Sequence, residues 1–271
     1  MNGPLIDGKQ SASVVCTDRG LQYGDGLFET ISCRDGRARW LELHFERLRS
    51  GLGRLRLAFD MFEELRAEIQ GLASGHERCL VKVIVTRGAA TRRGYAPAGD
   101  EKPTRIVSRH PWPTANISAD GFRVGISSVR LGSNPLLAGL KHLNRLEQVL
   151  AQMACQESGL SEVLMLSTMQ HVIGGSMSNV FFANEHGLMT PELRDCGVEG
   201  VMRRVVLRAA ADLGLGVQIR AISVEEVALA REAFFTNVRL GLQSAHWLDG
   251  RQLHSDAFAQ RLQRQIDATP G

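Results

Sequence analysis

Two strand-like runs, residues 27–34 and 37–41, flank Asp35-Gly36 near the start of the chain. A DG pair between such runs is a strong hairpin signal, because both turn positions tolerate positive φ. Two helices are expected next. In the second, Phe62, Leu65, Ile69 and Leu72 recur at helical spacing behind Asp60, a candidate N-cap with Glu63 three residues on. Residues 79–86 and 104–108 read as strands. From 110 to 116 the periodicity breaks, and Pro111 and Pro113 remove backbone donors. That stretch is the candidate interdomain linker, with the boundary near Thr114.

Beyond it, residues 122–131 read as a strand and 143–156 as a helix ended by Ser158-Gly159. Leu143, Leu146, Val149, Leu150, Met153 and Ala154 share one face of that helix, the amphipathic pattern of an element packed on a core. Further strands are expected at 162–166, 180–183, 217–221 and 233–236, with a helix over 201–213 and a short one capped by Ser223 with Glu226. No repeat or low-complexity tract interrupts the series.

Composition narrows the classes. The 271 residues, 44% apolar, suffice for one large or two modest globular domains. No run approaches the ~20 uninterrupted apolar residues of a membrane span. The start MNGPLIDGKQ lacks a basic-then-apolar leader, so a cytoplasmic protein is expected. Five dispersed cysteines (Cys16, Cys33, Cys79, Cys155, Cys196) form no CxxC pair, which predicts reduced thiols and no zinc site. A net charge of +3 is too small and too mixed for a nucleic-acid footprint.

One count matters for chemistry: among 32 basic residues only Lys9, Lys82, Lys102 and Lys141 are lysines. Lys82 lies in LVKVIVTRG on the opposite strand face from Val81 and Val83, and Lys9 and Lys102 sit in polar, turn-like surroundings, so all three read as solvated. Lys141 follows the apolar, small-residue stretch NPLLAGL and precedes a helix. Partial burial there would favour a neutral, nucleophilic amine. On pattern alone, a surface lysine capping that helix is the more common case.

Other segments suit anions. Gly197 and Gly200 in DCGVEGVMRR precede a helix whose first N–H groups could hold a phosphate, although a glycine before a helix is often only a turn. Arg47 in HFERL and Asn237 in FFTNVRLG could add a guanidinium and an amide, or serve as ordinary surface and turn residues. TRGAATRRGY carries Arg87, Arg92, Arg93 and Tyr95, either a receiver of substrate carboxylates or a solvated basic loop. DRGLQYGDGLFET, with Gly20, Gly24 and Gly26, lacks the spacing of a dinucleotide fingerprint and reads as a tight packed loop.

In this order the segments resemble the fold-type IV pyridoxal 5′-phosphate (PLP) enzymes, from Asp18 to about Leu242. The group holds branched-chain and D-amino-acid aminotransferases and aminodeoxychorismate lyases. The resemblance implies an α/β fold with α+β elements. A smaller N-terminal domain (1–114) and a larger C-terminal, PLP-binding domain (115–271) would have the cofactor between them, in a homodimer. It also implies PLP on Lys141, phosphate contacts from Arg47, Val201, Met202 and Asn237, secondary cofactor contacts from Ser176 and Asn179, and substrate contacts from Phe28, Arg93 and Tyr95.

Two runs, VRLGSNPLLAGLKHLNRLEQV and RRGY, are similar to the lyase pattern. They imply elimination of pyruvate from a small-molecule substrate, aminodeoxychorismate, to give 4-aminobenzoate for folate biosynthesis. An aminotransferase of D- or branched-chain amino acids is the rival on the same fold, and a catalytically dead phosphate-binding module the rival outside it. One departure stands out. Where the group has E-x-S/T-x-x-N-x-F, with the glutamate pairing the pyridine nitrogen, this chain reads GGSMSNVF and places Gly174 at the glutamate.

Overall fold

The computed structural model describes residues 3–113, 121–185 and 187–269, and the chain forms two compact units. The first comprises Met1–Thr114 with Leu140–Asn144, the second Ala115–Gly139 with Arg145–Gly271. The chain therefore returns to the first unit for five residues around Lys141, a crossing that a single boundary does not anticipate. The expected boundary at Thr114 itself lies outside the described residues.

In the first unit the elements are β1 (Leu5–Ile6), β2 (Lys9–Gln10), α1 (Arg19–Tyr23), β3 (Gly26–Arg34), β4 (Arg37–Ala38), α2 (Leu41–Arg54), α3 (Phe62–Ala73), β5 (Arg78–Thr86) and β6 (Thr104–Pro111). The strands form an antiparallel sheet in the order β2-β1-β6-β5-β3-β4. The predicted hairpin is present: β3 pairs with β4 through Asp35 and Gly36, both at positive φ. Strand β4 is shorter than the run suggested, because α2 begins at Leu41.

Alternation sorts the faces of this sheet. Leu27, Ile31, Cys33, Cys79, Val81, Val83 and Val85 are buried, while Phe28, Thr30, Lys82 and Ile84 are half-buried on the other side. Helices α2 and α3 contribute Leu43, Phe45, Leu48, Leu52, Leu65, Ile69 and Leu72 to the interior. Two local expectations fail. The residue capping α3 is Met61, with no side-chain cap bond, rather than Asp60. His110 and Pro111 belong to β6, paired with Leu80 and Cys79, so the strand runs into the expected linker. An end position lets β6 keep a proline.

The second unit contains β7 (Arg123–Leu131), α4 (Leu146–Glu157), β8 (Glu162–Ser167), β9 (Val172–Gly175), β10 (Asn179–Asn184), β11 (Gly187–Pro191), α5 (Val201–Asp212), β12 (Val217–Arg220), α6 (Val224–Ala228), β13 (Glu232–Asn237), β14 (Gly241–Ser244), β15 (Trp247–Leu248), β16 (Arg251–Gln252) and α7 (Ala257–Ala268). Two five-stranded sheets, β12-β11-β10-β13-β14 and β16-β15-β7-β8-β9, enclose an apolar core that includes Phe122, Leu164, Val180, Phe182 and Phe235. On the other face of the first sheet, Phe181 stacks on Phe234 at 5.1 Å, where α5 and α7 pack against β13. Ser223 forms the predicted capping box with Glu226.

Helix α4 packs differently from its sequence pattern. Only Ala151 and Cys155 are buried, against Leu131, Val163, Met165 and Ile173. Leu146, Val149, Leu150 and Met153, expected to face a core, are 77%, 50%, 54% and 52% exposed. Leu143 precedes the helix, which starts three residues later than expected.

Candidate functional site

In the first unit, residues 141–143 run along the start of β3. Phe28 N–H donates to the Lys141 carbonyl at 2.9 Å, Leu27 bridges His142, and Leu143 N–H donates to the Gly26 carbonyl at 3.1 Å. This backbone pairing fixes Lys141, and its Nζ lies 4.2 Å from the centroid of the Phe28 ring. The amine is half-buried and held against an aromatic face. A helix-capping surface lysine is thereby set aside. Lys82 is half-buried too, with Nζ 5.6 Å from the same ring, so it is less solvated than its sequence context suggested.

Behind that face lies an ionic cluster. Glu29, 2% exposed, accepts from Arg47 Nε at 2.8 Å, from Arg47 Nη2, and from His44 Nδ1 at 2.7 Å. Burial works against its ionisation, but the Arg47 charge and the His44 contact outweigh it and hold the carboxyl at about 2. Burial pushes the His44 imidazole below its usual range against the pull of Glu29, and the charges of Arg47 and Lys141 add to that. A neutral His44 thus donates through Nδ1, and its buried Nε2 has no hydrogen-bond partner among the described residues.

The loop after β5 is also anchored. Arg93 and Tyr95 are exposed, whereas Arg87 donates to Asp25 through Nε at 2.8 Å and Nη2 at 3.0 Å. The DRGLQYGDG segment, expected as a tight loop, is instead the short helix α1, capped by Asp18 and ended at Gly24. Gly24 adopts φ +66°, and a Cβ there would fall 2.4 Å from Asn144 Oδ1.

In the second unit, α5 starts at Gly200 with extended φ/ψ and no side-chain cap bond, which leaves the first-turn N–H groups, including those of Val201 and Met202, available to an anion. Asn179 Nδ2 donates to the Val198 carbonyl at 2.9 Å, and a Cβ on Gly200 would fall 2.0 Å from its Oδ1. Only glycine lets Asn179 brace this helix start. Asn179 therefore shapes the start of α5 through the backbone.

The other expected cofactor residues are engaged elsewhere. Asn237 Oδ1 accepts from the N–H groups of Arg239 at 2.9 Å and Leu240 at 2.8 Å, while Nδ2 donates to the Met177 carbonyl at 3.1 Å. Its amide braces the β13–β14 turn and keeps only its second N–H for an anion. Ser176 Oγ donates to Glu162 Oε1 and accepts from Gln152, and its N–H donates to the same Oε1 at 3.0 Å. Ser178 Oγ donates to Glu162 Oε2 at 2.7 Å.

Glu162, 1% exposed, went unremarked in the sequence because one glutamate opening an apolar strand reads as a strand end. Its carboxylate lies on the Gly175 side of β9, where a Gly175 Cβ would meet it at 2.7 Å. A Cβ on Gly174 would instead fall 2.8 Å from the Ser178 carbonyl oxygen. Neighbouring strand positions face opposite ways, so Glu162 does not stand in for the carboxylate missing at Gly174.

In the first unit a half-buried amine beside an aromatic face suits an aldehyde, and in the second a glycine-started helix with uncapped N–H groups suits a phosphate. Comparison with known proteins agrees in kind. The profile of the amino-transferase class IV family matches residues 26–248. The aminodeoxychorismate lyase of Vibrio harveyi is 33% identical over 239 residues, 88% of each chain. The crystal structure of 4-amino-4-deoxychorismate lyase from Pseudomonas aeruginosa superposes with a TM-score of 0.90 at 40% identity, over 97% of both chains. A putative branched-chain-amino-acid aminotransferase of Methanocaldococcus jannaschii is 29% identical, over 94% of this chain and 89% of its own.

Proposed function

The chain belongs to the amino-transferase class IV family, and on that footing we propose that it is a PLP-dependent carbon–oxygen lyase. It takes 4-amino-4-deoxychorismate and releases pyruvate and 4-aminobenzoate, a precursor for folate biosynthesis. The observation that carries this reading is that two lyase relatives, at 33% and 40% identity, are more similar in sequence to this chain than the aminotransferase relative at 29%.

The geometry around Lys141 supports the following roles. Lys141 would hold the cofactor through its amine, and the same amine, once free, would be the base. Its Nζ removes the proton on the amine-bearing ring carbon. As the ring becomes aromatic the ether C–O bond breaks, and the departing enolpyruvyl group takes a proton to become pyruvate. Bound PLP supplies the electron sink for this step. Phe28 holds the Lys141 amine on one side, and Lys82 sets a second cation beside the same ring.

The groups we assign to the cofactor phosphate are Arg47, the Val201 and Met202 N–H groups, and Asn237. Asn179 and Ser176 act by shaping the backbone around them. Arg93 and Tyr95 receive the substrate carboxylates. Gly174 offers no carboxylate to the pyridine nitrogen, which weakens the sink. Elimination tolerates this better than amino transfer, because aromatisation lowers the burden on the carbanion.

A homodimer in the cytoplasm completes the proposal. Four large apolar side chains exposed together on α4 form a patch that a second copy would cover. Among the described residues no helix is long and apolar enough to cross a membrane.

The aminotransferase relatives keep a second reading open, amino transfer from D- or branched-chain amino acids. One assay separates the two: purified, PLP-loaded protein is given 4-amino-4-deoxychorismate and, separately, an amino acid with a keto acid. Pyruvate release without keto-acid-dependent transfer supports the lyase; the reverse result rejects it.

A further inference from the structure

The loop bearing Arg92, Arg93 and Tyr95 exposes its side chains, yet its backbone is held from below by one buried residue. Arg19 is 3% exposed. It donates through Nη1 to the Gly94 carbonyl at 3.1 Å, through Nη2 to the Tyr95 carbonyl at 2.6 Å, and through Nε to Asp25 Oδ2 at 2.9 Å. Its guanidinium carbon lies 5.0 Å from the Tyr23 ring, which meets the Tyr95 ring edge-on at 5.4 Å. Gly94 turns the chain at φ +111°, where a side chain would be strained.

The stalk of the loop is tied to the same segment. Arg19 N–H donates to the Gly88 carbonyl at 2.8 Å and Ala90 N–H to the Thr17 carbonyl at 2.9 Å. An arginine suits two successive carbonyls and a carboxylate at once, because its donors are spread in a planar fork. Asp25 keeps its two bonds from Arg87 if Arg19 is changed, so this corner does not depend on Arg19 for its charge balance.

We propose that Arg19 is a positioning residue for substrate recognition, fixing the Gly94 and Tyr95 carbonyls so that Arg93 and Tyr95 meet a substrate bearing carboxylates. It does not touch the reacting atoms. The inference rests on the reading that Arg93 and Tyr95 receive those carboxylates, and the test keeps the two apart. A residue that only pre-sets a binding loop supports ground state and transition state alike, so its loss raises KM and leaves kcat in place.

Arg19→Gln, Arg19→Lys and Arg93→Ala are compared in the PLP-loaded protein, with 4-amino-4-deoxychorismate as substrate. Arg19→Gln is expected to raise KM about tenfold, the size of one lost charge-assisted bond, with the cofactor absorbance and kcat unchanged. Trypsin should cut after Arg92 or Arg93 faster than in wild type. Arg19→Lys should recover part of both, since one ammonium cannot reach all three acceptors. If Arg19→Gln fails to fold, Arg19→Lys carries the test with a smaller rise in KM.

Should Arg93→Ala raise KM while the Arg19 variants keep wild-type KM and tryptic rate, the positioning role is wrong and the carboxylate reading stands. Should Arg93→Ala leave KM unchanged, the loop is not the carboxylate receiver and both fall. A loss of cofactor absorbance in the Arg19 variants would mark a structural role and overturn the proposal as well.

Discussion

Each unit buries a glutamate beside its candidate site, and the two are held by opposite means. Glu29 in the first unit lies between a guanidinium and an imidazole, whereas Glu162 in the second is held by two serine hydroxyls and backbone N–H groups. A carboxylate facing a fixed cation cannot lose its charge without leaving the cation buried and uncompensated. A carboxylate facing hydroxyls can, because a hydroxyl turns from donor to acceptor. The first cluster is therefore a charge arrangement and the second a hydrogen-bond arrangement. Arg47, the proposed phosphate residue, belongs to the first.

The comparison breaks most visibly with isosteric changes. Glu29→Gln strips Arg47 of its carboxylate and should cost about 3–5 kcal/mol in urea unfolding. A cost under about 1 kcal/mol would mean that Arg47 does not need that charge.

Acid probes the same pair without mutation. Glu29 ionises at about 2 in the folded protein against an ordinary 4.5, so its stabilisation is present above about 4.5 and is lost as pH falls toward 2. The loss amounts to about 3 kcal/mol over that window. His44, pushed down by burial, has the same sign, losing stability as pH falls below its ordinary value. Unfolding free energies measured from pH 7 down to 2.5 should show this limb in wild type and a shallower one in Glu29→Gln.

Smaller effects sharpen the second unit. Gly174→Ala drives a Cβ to 2.8 Å from the Ser178 carbonyl and should cost about 2 kcal/mol in thermal unfolding. Glu162→Gln should cost only about 1 kcal/mol, since Ser178 can reverse its hydroxyl. A cost at Glu162 equal to that at Glu29 would erase the distinction between the clusters. Leu150→Glu, on the exposed face of α4, should change stability by less than about 0.5 kcal/mol per chain. In light scattering it should shift the protein from dimer toward monomer.

What the sequence disclosed depended on how locally each feature is encoded. The β3–β4 hairpin and the Ser223 capping box rest on residues a few positions apart, and both appear where expected. Lys141 was singled out by lysine counting and its apolar approach, but its contact with Phe28 is a pairing between segments over a hundred residues apart, which no local pattern carries. Helix α4 shows the converse. Its apolar face is legible, but periodicity does not say whether a core or a second copy covers it, and here the core takes only Ala151 and Cys155.

The two buried glutamates are hidden for a related reason. Glu29 interrupts an apolar strand and Glu162 opens one, and a lone charge in either place reads as an edge or solvent position until its partners are known. Helix α7 was missed because its buried positions, Ala259, Leu262 and Ile266, are sparse among Arg and Gln. Asn237 has a further duty that its sequence context does not show, since its Oδ1 braces the turn after β13.

The central claim is that Lys141 carries PLP. Purified protein is treated with borohydride, digested, and the cofactor mass located by peptide sequencing. The phosphopyridoxyl increment is expected on the peptide containing Lys141 and on no other lysine. An increment on Lys82, or a protein that binds no PLP, would contradict it.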